Sequence, residues 1–203
     1  ESTIHGIVLD AIAAKTSALP ANYANLSADE KIDLLTEITA TVNDEPFENE
    51  LATDTVATIK AIKTIQDYNG ESGCNRYIIS QCNSALNVLE VYGLFLLCGW
   101  QQQSMTIDIV PLFETVDDLQ HAAAVMKTLY SNKIYDEHLT RRKKRQTIML
   151  GFSDGTKDGG YLMANWSIYK AKEELTAISK EYGIEVVFFD GRGGPPSRGG
   201  GKT

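Results

Sequence analysis

Ile148-Met149-Leu150-Gly151-Phe152-Ser153-Asp154-Gly155-Thr156-Lys157-Asp158-Gly159-Gly160 is the stretch that decides the fold of this chain. Its apolar half is short and unbroken, the pattern of a strand buried on both faces. It stops abruptly in small, acidic and glycine residues, and a long helical pattern begins near Tyr161. Glycines there let the backbone turn sharply and come close to a bound group. Strand, glycine-rich turn and helix form the repeating unit of parallel α/β sheets, which place their chemistry where strands end. Asp154, Lys157 and Asp158 stand at that place.

Three more apolar runs flank it: Tyr77-Ile78-Ile79-Ser80, then residues 105–113, then Glu185-Val186-Val187-Phe188-Phe189. Helical patterns follow at about 84–98, up to about Tyr130, and from Tyr161 to about Tyr182, where Gly183 offers a C-cap. The last three runs start near residues 106, 147 and 185, a repeat of about 40 residues that suits one strand-helix unit with its loops. Four such units make half of an eight-stranded barrel or four strands of a doubly wound open sheet, and periodicity does not separate the two.

The first 70 residues read as helical. Ile4, Ile7, Val8 and Ile12 have helical spacing, residues 18–22 break it, and Ser27-Ala28-Asp29-Glu30 is a capping box for a helix through about Val42. A third helix covers Leu51 to about Tyr68, with Val56, Ile59, Ile62 and Ile65 on one stripe. The basic cluster Arg141–Arg145 reads as a solvated helix end.

Composition bounds the function classes. The 203 residues are 43% hydrophobic and 23% charged, an ordinary globular balance with material for one sizeable core. The net charge of −8 argues against nonspecific binding to nucleic acid or anionic membrane, leaving room for a local basic site. Cys74, Cys82 and Cys98 lack metal-ligand spacing and read as reduced, mostly buried thiols of a cytoplasmic protein. His5, His121 and His138 are scattered. No apolar run approaches the roughly 20 residues that span a bilayer. The chain begins at Glu1 without methionine and stops at Gly201-Lys202-Thr203, inside a glycine-rich loop, so it reads as a piece of a longer protein.

Three consecutive strand ends carry polar groups: Glu114, then Asp154 with Lys157 and Asp158, then Asp190 with Arg192. On parallel neighbours these converge on one rim, and carboxylates on adjacent strand ends can share a cation. Two carboxylates with waters and a substrate oxygen suit Mg²⁺ or Mn²⁺. Beside this stand plainer readings: Glu114 as an N-cap or first-turn acid, a role that Asp117 and Asp118 fit better, and Asp154 as an Asx turn. Residues 191–201 set Arg192 and Arg198 six apart among glycines and prolines. Open backbone N–H groups and guanidinium forks there can grip phosphate or carboxylate. A linker of biased composition is the rival reading. The closing Gly-Lys-Thr lacks the spacing of a phosphate-binding P-loop.

Residues 110–119, 151–160 and 189–194 with Arg198-Gly199-Gly200 together resemble phosphoenolpyruvate carboxylase, and Tyr77–Ser80 with Asn87–Val91 resembles a fourth block of that family. The blocks stand in family order across residues 74–201. The resemblance implies about half of a TIM-type (α/β)8 barrel with additional helices at 71–203, preceded by a helical segment at 1–70. It implies a carbon-carbon lyase that fixes carbon dioxide, turning phosphoenolpyruvate and bicarbonate into oxaloacetate and phosphate with Mg²⁺ or Mn²⁺. The parent would be a cytoplasmic homo-oligomer with no nucleic-acid or membrane partner, and the fragment alone would be inactive. Glu114 and Asp154 match the family's metal ligands, Lys157 a lysine near its bicarbonate region, and Arg192 and Arg198 the arginines of its mobile loop. The chain departs from the family at Asp190, where histidine is common, and it lacks the Thr-Ala-His-Pro-Thr segment. A non-catalytic anion-binding or regulatory module built on Arg192 and Arg198 is the alternative. A third is a structural piece whose open sheet edges pair with another copy.

Overall fold

A computed structural model of the chain describes residues 1–43 and 45–192. Four strands, β1 (Arg76–Ile79), β2 (Asp108–Phe113), β3 (Arg145–Gly151) and β4 (Glu185–Gly191), form one parallel sheet in the order β1-β2-β3-β4. Each strand thus lies beside its predecessor in the chain, an arrangement compatible with part of a barrel. Ile109, Val110, Phe113, Ile148 and Leu150 are almost wholly buried, as the unbroken apolar runs require. The crossovers are helical. After β1 comes α4 (Ala85–Leu97), after β2 come α5 (Val116–Ser131) and α6 (Lys133–Arg141), and after β3 comes α7 (Ser153–Glu181). None of the described helices is long and apolar enough to cross a membrane.

The chain divides into two compact units. The first is Glu1–Tyr77 with Leu86–Ile107, the second Ile78–Ala85 with Asp108–Thr203. In the first unit, α1 (Ser2–Lys15) buries Val8, Leu9 and Ile12, while Ile7 stays half exposed. Ser27 and Glu30 do form a reciprocal capping box on α2 (Ala28–Thr36). That helix ends at Thr36, short of the expected Val42. Thr36 Oγ1 donates to the carbonyls of Ile32 and Asp33, and Val42 N–H instead donates to the Leu97 carbonyl at 2.8 Å. The intervening β-branched run Ile38–Val42 favours extended backbone. On α3 (Glu50–Asn69), Ala52, Val56, Ile59 and Ile62 form the buried stripe, and Ile65 at its end is exposed. Most of α4 is apolar all round and buried all round.

Glu90 is the one charged residue of α4. It is 6% exposed, and burial pushes its carboxyl up to about 7, an effect that Asp10 adds to and that an Asn87 hydrogen bond and Lys31 partly offset. A folded-state value above the ordinary 4.5 means that the fold prefers the neutral acid. The stability tied to that proton is therefore complete below pH 4.5 and is lost as pH rises through about 7. Glu90→Gln keeps the shape without the charge. It is expected to raise the melting temperature at pH 8 and flatten its fall between pH 4.5 and 7. Circular dichroism melts across pH check this, and a wild-type slope retained in the variant contradicts it.

In the second unit one expectation is corrected. The glycine-rich segment after β3 is not an open turn leading to a helix at Tyr161. Helical structure starts at Ser153, and Gly160 (φ 79°, ψ 171°) breaks it, so that α7 is a short helical segment joined across a kink to a long one. Only glycine adopts that backbone geometry without strain. The basic cluster closes α6 as a largely solvated helix end, with Arg141, Lys143 and Arg145 exposed. Arg142 Nε donates to Asp108 Oδ1 at 2.6 Å with its side chain largely covered, and Lys144 and Arg145 pair with Asp136 and Glu185. Gly183 (φ 66°) closes α7, where Ile184 N–H donates to the Ser179 carbonyl at 2.8 Å. The three thiols are free, and burial pushes those of Cys82 and Cys98 up to about 12.

Candidate functional site

The parallel register brings the polar strand ends to one rim. Phe113 pairs with Leu150, and Leu150 with Asp190, while Gly151 pairs with Gly191. One step further along β2, Glu114 comes level with Gly151. The contact is close: a Cβ on Gly151 would stand 3.1 Å from Glu114 Cα and 3.2 Å from its Cγ. Gly155 lies under the Glu114 carbonyl, with 3.4 Å to a Cβ position, and Gly159 under Val116 Cγ2, with 3.1 Å. Gly155 and Gly159, four apart on one face of α7, continue from Gly151 at the end of β3 as a ladder against the Glu114–Val116 turn. The sequence showed these glycines as room for a bound group. In the structure the room is taken by the neighbouring strand end.

Glu114 is neither cap nor first-turn acid. Thr115 is the N-cap of α5, joined to Asp118 in a reciprocal capping box. Asp118 Oδ2 also accepts the Glu114 N–H at 3.3 Å. The Glu114 side chain reaches to the end of β1, where Oε2 accepts the Gln81 N–H at 2.8 Å. Gln81 has φ 54°, an uncommon angle for a residue with a side chain, and this backbone turn aims its N–H at the carboxylate. The capping box was legible as Thr-x-x-Asp before a helical run. The Gln81 donor leaves no such trace, because any residue supplies a backbone N–H.

Asp154 lies in the first turn of α7 rather than in an Asx turn, and Lys157 Nζ bonds its Oδ1 at 2.7 Å. Both are substantially exposed, so the pair contributes little to stability and leaves both groups available to a ligand. Asp158, four residues on, accepts the Val116 N–H at 3.2 Å. Arg192 sets its guanidinium over the fully buried Phe152 ring, 5.3 Å from the centroid. Asp190 is engaged by Lys172, whose Nζ lies 2.7 Å from Oδ1, a partner on α7 that the sequence did not suggest. Arg198 lies outside the described residues.

The sequence model of the phosphoenolpyruvate carboxylase family matches residues 1–203. The chain belongs to the phosphoenolpyruvate carboxylase family. It is 36% identical over 216 residues to the phosphoenolpyruvate carboxylase of Thermosynechococcus vestitus and 36% identical over 210 residues to that of Nitrosomonas europaea. To that of Nocardia farcinica it is 35% identical over 213 residues. Each match covers 100% of this chain but only 21%, 22% and 23% of the respective relative, so the chain spans about a fifth of their length.

Glu114 and Asp154 are the two carboxylates that the sequence marked as cation ligands. Both are oxygen donors on segments in contact, and among the described residues, here as elsewhere, no group of three or more His, Cys, Asp or Glu side chains could hold a metal ion. Mg²⁺ characteristically takes one or two carboxylates and completes its shell with water and substrate oxygen.

Proposed function

We propose that this chain supplies the strand-end part of an active site that carboxylates phosphoenolpyruvate with bicarbonate, giving oxaloacetate and phosphate. The observation that carries the reading is the approach of Glu114 to the Gly151–Asp158 segment at one rim of a parallel sheet, in a chain of this family. The consecutive strand order supports the further reading that the sheet is half of an (α/β)8 barrel, whose active sites lie at the C-terminal strand ends. A doubly wound sheet would place a switch of direction among its strands.

In this reading Glu114 and Asp154 hold Mg²⁺ or Mn²⁺, which when bound supplies positive charge to the oxygen that becomes an enolate. The phosphoryl group passes from phosphoenolpyruvate to bicarbonate, leaving the enolate of pyruvate. The carboxyphosphate so formed releases carbon dioxide, which the enolate takes up at its terminal carbon. Arg192 and Arg198 grip the phosphoryl and carboxylate oxygens, where planar guanidinium groups offer two parallel hydrogen bonds. Lys157, a point charge on a flexible stem beside Asp154, holds the bicarbonate-derived group. Asp190 is given no proton-transfer role in this scheme, since Lys172 occupies its carboxylate.

Labelled bicarbonate, trapped after reduction of oxaloacetate to malate, tests the reading. The full-length polypeptide carrying this segment is expected to incorporate label only with phosphoenolpyruvate and a divalent cation. The 203-residue chain alone is expected to incorporate none. Turnover by the chain alone would overturn the reading of an incomplete catalytic set. Anion binding without metal-dependent turnover in the full-length protein would instead favour a regulatory anion module.

A further inference from the structure

We propose that Asp158 is a positioning residue for the Glu114 carboxylate, acting through the first turn of α5; this rests on the two-carboxylate reading above. Val116 N–H is among the N-terminal donors of α5 that no intrahelical carbonyl can satisfy. Thr115 and Asp118 close the capping box around it, and Asp158 Oδ2 takes the Val116 N–H at 3.2 Å. One hydrogen bond therefore joins the backbone two residues after Glu114 to a side chain four residues after Asp154.

The placement of Asp158 is informative. It stands in the last turn before the break at Gly160, where the helix dipole disfavours negative charge. Its carboxylate meets the opposite pole, the N-terminus of α5, where negative charge is favoured. The local helix gains nothing from an acid there, whereas the joint between the two segments does. The glycine ladder sets how closely the segments approach, and Asp158 fixes their alignment along that contact. An acceptor that aligns a metal-binding segment changes metal affinity without touching the metal.

The test uses the full-length enzyme, with Mn²⁺ titrated in the presence of phosphoenolpyruvate and no added bicarbonate. Binding is read from the electron paramagnetic resonance signal of the free ion. Asp158→Ala is expected to weaken Mn²⁺ about tenfold. Asp158→Asn keeps an oxygen acceptor for the Val116 N–H and is expected to restore most of that loss. Glu114→Ala is expected to abolish the binding. Unchanged affinity in Asp158→Ala, with Glu114→Ala deficient, overturns the role of Asp158 and leaves the site reading standing. Intact binding in Glu114→Ala overturns the site reading and this inference with it. If Asp158→Ala fails to fold, Asp158→Asn decides: near-native affinity supports positioning by the acceptor oxygen, and a full loss contradicts it.

Discussion

Alanine at Glu114 or at Asp154 is expected to lower metal-dependent turnover of the full-length enzyme by about a thousandfold, the scale of losing one preorganised electrostatic contact to developing charge. In the proposed site each carboxylate would provide a large part of the protein donor set, since among the described residues no group of three or more His, Cys, Asp or Glu could hold a metal ion. The two losses should differ in character. Asp154→Ala also strips Lys157 of its partner and leaves an ammonium group next to the cation position, so added Mn²⁺ should restore little. Glu114→Ala vacates the acceptor for the Gln81 N–H, a group that water can satisfy at this exposed turn. Steady-state turnover against Mn²⁺ concentration checks both. A double variant that keeps wild-type turnover and metal requirement would refute the assignment.

Arg192→Lys is expected to lower kcat/KM for phosphoenolpyruvate about 100-fold while leaving Mn²⁺ affinity near wild type. Lysine preserves the charge but lacks the planar fork. It also lacks the flat face that rests on Phe152, so the cation loses both its aim and its support. The charge-only view predicts a change of a few fold. Initial rates at varied phosphoenolpyruvate, paired with the Mn²⁺ titration, separate the two outcomes.

The sheet was legible because parallel strands buried on both faces must be continuous apolar runs, as Ile148–Leu150 and Ile109–Phe113 are. Helix ends with local chemistry were legible too: the Ser27–Glu30 box and Gly183 act within a few residues of themselves. What escaped was set by partners distant in sequence. The α2 helix ends at Thr36, and Val42, expected to close it, finds the Leu97 carbonyl far along the chain. Helix α6 has only 9 residues, so its buried face of Tyr135, His138 and Leu139 spans a single helical repeat, too short a period to read. The glycines at 151, 155 and 159 suggested a cradle for a ligand, yet the spacing of 155 and 159 already described a helix face on which another backbone can rest. Glu114 and Asp154 were visible as strand-end acids. Their setting was not, because it depends on the Gln81 N–H, the Val116 N–H and the register of β2 with β3.

The central claim is that Glu114 and Asp154 bind one cation together. Crystals of the full-length enzyme grown with Mn²⁺ and phosphoenolpyruvate, measured at the manganese absorption edge, test it most directly. One anomalous peak is expected within coordination distance of a Glu114 oxygen and an Asp154 oxygen, roughly 2.0–2.3 Å for a small divalent ion. A peak bound by other side chains, with both carboxylates keeping only the Gln81 and Lys157 partners seen here, would contradict it.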